Sequence, residues 1–245
     1  MKNICLILEY LGTNYCGFQR QKNGLSIQEV LENTLKDVTG EDIKTYPSGR
    51  TDAGVHALGQ VVNFFTSSTI APEKFAIVLN LKLPLDIRVK NSFEVDQNFN
   101  SRKSAISKTY IYKIYNGKVL GAFDVGRCLF CGYSLDLKKM KEACKLIEGE
   151  HDFSSFVATN ATTKTTIRTI YKADLTKDGE YLTFSVTGNG FLYNMVRILV
   201  GTLIEIGRGK ISLNDLKILL QGNNRQKAGK TVSPDGLYLK EVRYN

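Results

Sequence analysis

The residues best suited to chemistry lie in one short stretch, S-G-R-T-D-A-G-V-H-A at residues 48–57. Two glycines in it, Gly49 and Gly54, permit backbone conformations closed to bulkier residues and bracket the charged residues Arg50 and Asp52. An ionised carboxylate could act as a nucleophile or as a base. A neighbouring arginine lowers the pKa of the carboxyl group, which keeps it ionised, and also orients it. Composition alone equally allows a surface turn with a local ion pair.

A second cation lies on the strongly apolar segment 191–206, which predicts a largely buried helix with Arg197 in its middle. The nearest carboxylate further along this segment belongs to Glu205, about 12 Å away along a helix axis. A buried guanidinium needs a partner, so we expect a carboxylate from elsewhere in the chain, with Asp52 as a candidate. The alternatives are a surface position for Arg197 or a purely structural carboxylate.

Tyrosines alternate along the predicted strand 109–115, where Tyr110 and Tyr112 share a face and Lys108 and Lys113 supply charge. Such a strand offers rings for base stacking and cations for phosphate. Packing within a sheet is the alternative, and it is the commoner role of aromatic residues on strands. Only one of these tyrosines needs to reach a site.

The composition predicts a folded globular protein with a polyanionic partner. The 245 residues include 33 Lys and Arg against 24 Asp and Glu, which gives a formal net charge of +9. Nucleic acid is the first candidate partner, and a basic surface without function is the alternative. The apolar segments are too short or too interrupted to span a bilayer or serve as a signal sequence, which favours the cytoplasm.

The five cysteines do not form the even, closely spaced framework of a disulfide-rich secreted domain. Cys128 and Cys131 form a single CxxC pair, and the only two histidines are His56 and His151. A zinc site would need two further ligands, so we expect reduced thiols and no metal.

The periodicities predict an α+β fold of two mixed lobes with antiparallel sheets and a groove between them. Helical spacing follows Ser26, a predicted N-cap, and a hairpin is predicted at residues 177–180. The segment 98–102 is the predicted seam, which gives an N-terminal lobe of residues 1–104 and a C-terminal lobe of residues 105–245.

These segments together resemble the tRNA pseudouridine synthase A family over nearly the whole chain. The resemblance rests on Y-L-G-T-N-Y-C-G-F-Q at 10–19, G-R-T-D-A-G-V-H-A at 49–57, K-T-Y-I-Y at 108–112, G-E-H-D-F-S-S-F at 149–156, N-M-V-R at 194–197 and D-G-L-Y-L at 235–239. Leu11 replaces the usual aspartate of the family, and Ser101 replaces the alanine that usually precedes the arginine at position 102.

The resemblance implies isomerisation of uridine to pseudouridine at positions 38, 39 and 40 in the anticodon stem-loop of tRNA. It places the catalytic aspartate at Asp52 and its basic partner at Arg197, with Tyr110 and Arg50 as substrate-binding residues. It also implies two ferredoxin-like α+β halves that flank a basic RNA-binding cleft, and a homodimer that uses neither metal nor cofactor.

Three other functions fit parts of the sequence. A non-catalytic RNA-binding protein would share the charge and the strand tyrosines, but Asp52 would add nothing to its affinity for phosphate. A hydrolase with an aspartate nucleophile would need a second acid or a metal cluster near Asp52, which the sequence lacks. A related synthase that acts on another RNA is not excluded by any sequence feature.

Overall fold

The computed structural model describes residues 1–22, 24–158, 165–222 and 224–245, and the chain divides into two compact units. The first unit comprises Met1–Ile106 with Tyr238–Asn245, and the second comprises Ser107–Leu237. The boundary at 106 lies close to the predicted seam. The C-terminal residues, which the sequence division assigns to the second lobe, group instead with the first unit because their strand pairs there.

The described residues form ten strands and five α-helices. The strands are β1 (Lys2–Tyr10), β2 (Tyr46–Pro47), β3 (His56–Thr66), β4 (Ile87–Val95), β5 (Ser107–Tyr115), β6 (Leu129–Phe130), β7 (Gly149–Asp152), β8 (Ile167–Asp178), β9 (Tyr181–Gly188) and β10 (Leu237–Arg243). The helices are α1 (Ile27–Thr39), α2 (Phe75–Asn80), α3 (Leu137–Ile147), α4 (Met195–Gly207) and α5 (Leu213–Leu219).

The sheet of the first unit has the strand order β4-β1-β3-β10, and the short β2 also pairs with β3. Strand β1 is antiparallel to β3 and β4, whereas β10 is parallel to β3 and places Tyr238 opposite His56. The prediction of antiparallel sheets is therefore wrong for this pair. A strand that returns from a distant part of the chain can pair in parallel because no tight hairpin fixes its direction.

The core of the first unit lies between this sheet and helices α1 and α2. Residues 3–6 and Leu8 of β1 are buried, and the rings of Phe64 and Phe75 meet edge to face with centroids 5.4 Å apart. Helix α1 begins as predicted, because the Ser26 side chain accepts a hydrogen bond from the Glu29 N–H. It ends at Gly40, whose φ of 75° is readily adopted by glycine.

The sheet of the second unit runs β5-β9-β8-β7 with antiparallel neighbours, and β6 pairs in parallel with β5. The predicted hairpin is present between β8 and β9, where Asp178 pairs with Tyr181 and the loop glycine Gly179 has a φ of 56°. Helix α3 packs on β8 and on α4. Strand β5, which carries the predicted substrate tyrosine, is paired with β9 from Lys108 to Tyr115.

Helix α4 is shorter at its N-terminus than the predicted segment 191–206. Asn194 has a left-handed backbone with φ 60°, which a right-handed helix cannot continue, so α4 begins at Met195. Arg197 consequently lies in the first turn of the helix rather than in its middle. No helix within the described ranges is long and apolar enough to cross a membrane.

Candidate active site

The loop that joins β2 to β3 in the first unit carries Arg50 and Asp52. Thr51 is buried, Asp52 is half-buried and Arg50 is exposed. The loop is anchored before the arginine, because the Gln60 side chain accepts from the Ser48 hydroxyl at 2.6 Å and donates to the Gly49 carbonyl at 2.9 Å. The exposed guanidinium of Arg50 thus extends from a fixed backbone.

Asp52 begins a tight turn that returns the chain into β3. The Val55 N–H donates to the Asp52 carbonyl at 3.1 Å, and Gly54 at the third position of the turn has a φ of 77°. These features define a type II turn, in which the third position favours glycine. Because the turn closes on the backbone of Asp52, it restricts where the carboxylate can point.

A neighbouring segment of the chain packs against this turn. The Phe18 N–H donates to the Thr51 carbonyl at 3.0 Å, and the Gly54 N–H donates to the Tyr15 carbonyl at 3.3 Å. A Cβ on Gly17, whose φ is 108°, would lie 2.7 Å from the Thr51 carbonyl oxygen. Two backbones can approach this closely only because glycine stands at position 17.

The same segment contributes a buried hydroxyl. The Tyr10 and Thr51 hydroxyls are hydrogen-bonded at 2.7 Å, and burial raises the pKa of Tyr10 well above its ordinary value. Tyr10 therefore stays protonated, and its hydrogen bond to Thr51 supports the loop. In the sequence, the segment 10–19 contributes only to the family resemblance, and this supporting role becomes visible only in the fold.

Tyr110 lies on β5 of the second unit and is 8% exposed. Its ring meets the ring of Phe191 edge to face, with centroids 5.0 Å apart and planes at 77°. This packing fixes the orientation of the Tyr110 side chain and leaves only a small part of it accessible. A ring held in this way is pre-organised, which favours a positioned contact over a freely moving stacking platform.

Arg197 is half-buried in the second unit, and two hydrogen bonds hold its guanidinium. Its Nε donates to the Val232 carbonyl at 2.7 Å, and its Nη1 donates to the Asn194 side-chain oxygen at 2.7 Å. The Val232 loop runs close to α4, since a Cβ on Gly201 would lie 1.9 Å from the Lys230 carbonyl oxygen. The hydrogen bonds to Asn194 and to this loop together fix the orientation of the Arg197 side chain.

The neighbouring Tyr112 belongs to the core of the second unit. It is fully buried and donates from its hydroxyl to the Ser233 carbonyl at 2.8 Å. Burial raises the pKa of Tyr112, and the nearby Arg197 charge opposes that shift. Tyr112 therefore supports the loop that holds Arg197.

The predicted site residues fall into two groups. Arg50 and Asp52 share one loop of the first unit, whereas Tyr110 and Arg197 belong to the second unit, on β5 and α4. Hydrogen bonds hold the loop backbone around Arg50 and Asp52. Ring packing holds the side chain of Tyr110, and hydrogen bonds hold that of Arg197. The pairing of Arg197 with Asp52 stays a prediction.

Cys128 and Cys131 lie on either side of β6, are both buried, and are unoxidised. Burial raises the pKa of both thiols, so neither is activated as a thiolate. In the part of the chain that the structure describes, no three His, Cys, Asp or Glu side chains are arranged to hold a metal ion.

Comparison with known proteins assigns the family. A family model described as tRNA pseudouridine synthase matches residues 6–102 and 143–245. The tRNA pseudouridine synthase A of Clostridium acetobutylicum is 47% identical over 244 residues, and that of Caldicellulosiruptor saccharolyticus is 45% identical over 244 residues. Both comparisons cover 100% of this chain and 100% of the relative.

This chain belongs to the tRNA pseudouridine synthase family and is an isomerase. Arg50 and Asp52 lie in the first matched segment and Arg197 in the second. Tyr110 lies between the two segments, in the part of the chain that only the full-length relatives cover.

Proposed function

We propose that this protein converts uridine to pseudouridine at positions 38, 39 and 40 in the anticodon stem-loop of tRNA. The observation that carries the proposal is the rigidly supported Asp52 turn within a segment that matches the family model. A general RNA-binding surface has no use for a carboxylate presented in this way, because a carboxylate repels phosphate.

The reaction exchanges one glycosidic bond for another. The N1–C1′ bond of uridine breaks, the uracil turns while still bound, and a C5–C1′ bond forms. The proton on C5 is lost to solvent and N1 gains a proton, so the product is an isomer of the substrate. The Asp52 carboxylate acts on the sugar, either by attack on C1′ or by removal of a sugar proton.

The target uridine must leave the base stack before Asp52 can reach its sugar, which costs a few kcal/mol. We assign Arg50 to the space that the flipped nucleotide vacates, since its exposed guanidinium extends from an anchored loop. Tyr110 contacts the flipped base, and Arg197 pairs with Asp52 to keep its carboxylate ionised.

Replacement of Tyr110 should separate the ring from the hydroxyl. We expect Tyr110→Phe to keep tRNA affinity but to slow the single-turnover rate. Tyr110→Ala should also weaken binding by about 1–3 kcal/mol, because the stacked ring is lost. Tyr115→Phe on the same strand is the matched control, since its hydroxyl bonds to Glu180 outside the proposed site, and it should leave the rate unchanged. Wild-type affinity and rate in Tyr110→Ala would make Tyr110 a core residue only.

Binding of tRNA should weaken steeply as salt rises. The chain carries a formal net charge of +9, and each phosphate contact releases counterions. We expect a log–log plot of the association constant against salt to have a negative slope that corresponds to several phosphates. Filter binding between low and physiological ionic strength measures this slope, and a flat response would place the excess charge away from the RNA.

We further propose that the protein acts as a homodimer in the cytoplasm, as the family resemblance implies. Light scattering on the purified protein tests the dimer, and a monomeric mass at micromolar concentration would contradict it.

The choice of nucleotide is tested with three anticodon stem-loop tRNA transcripts, each with a single modifiable uridine at position 38, 39 or 40. We expect pseudouridine at each position, mapped by chemical labelling and primer extension. A matched tRNA with cytidine at all three positions and uridine elsewhere is the control. Modification of the control alone would assign the protein to another RNA site.

A further inference from the structure

The turn that carries Asp52 ends at a fully buried histidine, His56, the first residue of β3. The backbone N–H of Gly12 donates to its Nδ1 at 2.9 Å. An Nδ1 atom that accepts a hydrogen bond carries no proton, so the imidazole is neutral with its proton on Nε2. The ring plane is fixed by Tyr238 on the parallel neighbour β10, whose ring centroid lies 4.7 Å away.

Gly12 connects this histidine to the Asp52 turn. A Cβ on Gly12 would lie 2.0 Å from the Val55 carbonyl oxygen, so the two backbones are in direct contact. Val55 is also the residue whose N–H closes the turn on the Asp52 carbonyl at 3.1 Å. A displacement of Gly12 would therefore shift Val55, which is hydrogen-bonded to Asp52.

Beyond Gly12, the same segment makes two of the contacts that hold the turn. Tyr15 accepts from the Gly54 N–H, and Phe18 donates to the Thr51 carbonyl. The Tyr15 N–H in turn donates to the Gly12 carbonyl at 2.9 Å. The hydrogen bond from Gly12 to His56 thus fixes the start of the segment that supports the catalytic loop.

We propose that His56 is a positioning residue for Asp52. Its unprotonated Nδ1 holds Gly12 against Val55, and this contact sets the turn from which the carboxylate reaches the sugar. The proposal rests on the catalytic role proposed for Asp52. The sequence indicates His56 only as a possible metal ligand. Its role as a hydrogen-bond acceptor and the approach of Gly12 are visible only in the fold.

Two amide substitutions test the acceptor position. In His56→Asn the side-chain oxygen is attached to Cγ, as Nδ1 is in histidine, and can accept from Gly12. In His56→Gln the amide lies one carbon further out and cannot replace Nδ1. We expect the Gln variant to lower the single-turnover rate about 10–100-fold with tRNA affinity within about threefold, and the Asn variant to recover most of the rate.

A second measurement follows the loop directly. Amide hydrogen exchange at Gly12, Gly54 and Val55 should be at least about tenfold faster in His56→Gln than in wild type or His56→Asn. Leu79→Ala is the control for general destabilisation, because Leu79 is buried in α2 of the same unit. It should lower stability while the single-turnover rate of the folded fraction stays the same.

The proposal is overturned if His56→Gln matches wild type, if the Asn and Gln variants are equally slow, or if Leu79→Ala slows the rate as much. Nitrogen NMR of the wild-type imidazole gives a result independent of any variant's folding: a proton on Nε2 is expected, and one on Nδ1 would overturn the proposal. A wild-type protein without isomerase activity would refute the proposed function, and the exchange and NMR data would still decide the role of His56 in the loop.

Discussion

Asp52→Asn should abolish turnover while tRNA affinity stays within about tenfold of wild type, a change of no more than about 1.4 kcal/mol. In the proposed reaction the carboxylate is needed to break the glycosidic bond, whereas it makes no favourable contact with phosphate. The turn itself should persist, because its closing hydrogen bond uses the Asp52 backbone carbonyl rather than the side chain. Single-turnover kinetics with excess enzyme measure the rate, and filter binding measures the affinity.

The matched control for this substitution is Asp42→Asn, which removes a carboxylate of the same unit that pairs with Lys36 at 2.7 Å on the surface. Exposed pairs contribute about 0–1 kcal/mol to stability, so this variant should keep full activity. Residual activity of Asp52→Asn above a few per cent of wild type would show that another group performs the chemistry.

Arg197→Met should lower both stability and activity. The substitution removes the hydrogen bonds to the Val232 carbonyl and the Asn194 side chain, each at 2.7 Å, and it leaves the proposed partner carboxylate without its cation. We expect the free energy of unfolding to fall by about 2–4 kcal/mol, from lost charged hydrogen bonds and partial burial. The single-turnover rate should fall at least about a hundredfold, since Asp52 would lose the cation that we propose orients it.

The control for this variant is Arg208, which follows the last residue of α4 and caps its C-terminus. The Arg208 guanidinium donates to the Glu205 carboxylate at 2.8 Å and lies 3.7 Å from the centroid of the Tyr133 ring. Arg208→Met should therefore lower stability without loss of activity. Arg197→Lys keeps the charge but loses the planar fork that bonds both Val232 and Asn194, and it should be only partly active.

A double-mutant cycle tests the proposed pair itself. Coupling between Asp52→Asn and Arg197→Met in unfolding free energy should exceed about 0.5 kcal/mol if the side chains are in contact. Additive effects would contradict the pairing and leave the role of Asp52 intact.

The sequence predicted local structure well where short-range chemistry decides it. The Ser26 cap and the hairpin at Gly179 depend on residues within a few positions, and both are confirmed. Residue spacing also predicted α1, β5 and most of α4. These features follow from side-chain periodicity and from the backbone preferences of individual residues.

Other features could not be predicted because they depend on contacts between distant segments. The parallel pairing of β10 with β3 joins residues from opposite ends of the chain, and no turn signal marks it. The left-handed Asn194 interrupts an apolar run that hydropathy alone treats as continuous, so that α4 begins only at Met195. Gly12 and Gly17 become informative only when the Asp52 loop is seen to approach them.

Release of tritium from tRNA labelled at C5 of uridine tests the central claim most directly, because C5 loses its proton only when the new C5–C1′ bond forms. With purified protein, a tRNA with uridine at positions 38, 39 and 40 should release up to three equivalents of tritium, and Asp52→Asn should release none under the same conditions. Binding of that tRNA by the wild-type protein without any tritium release would contradict the account.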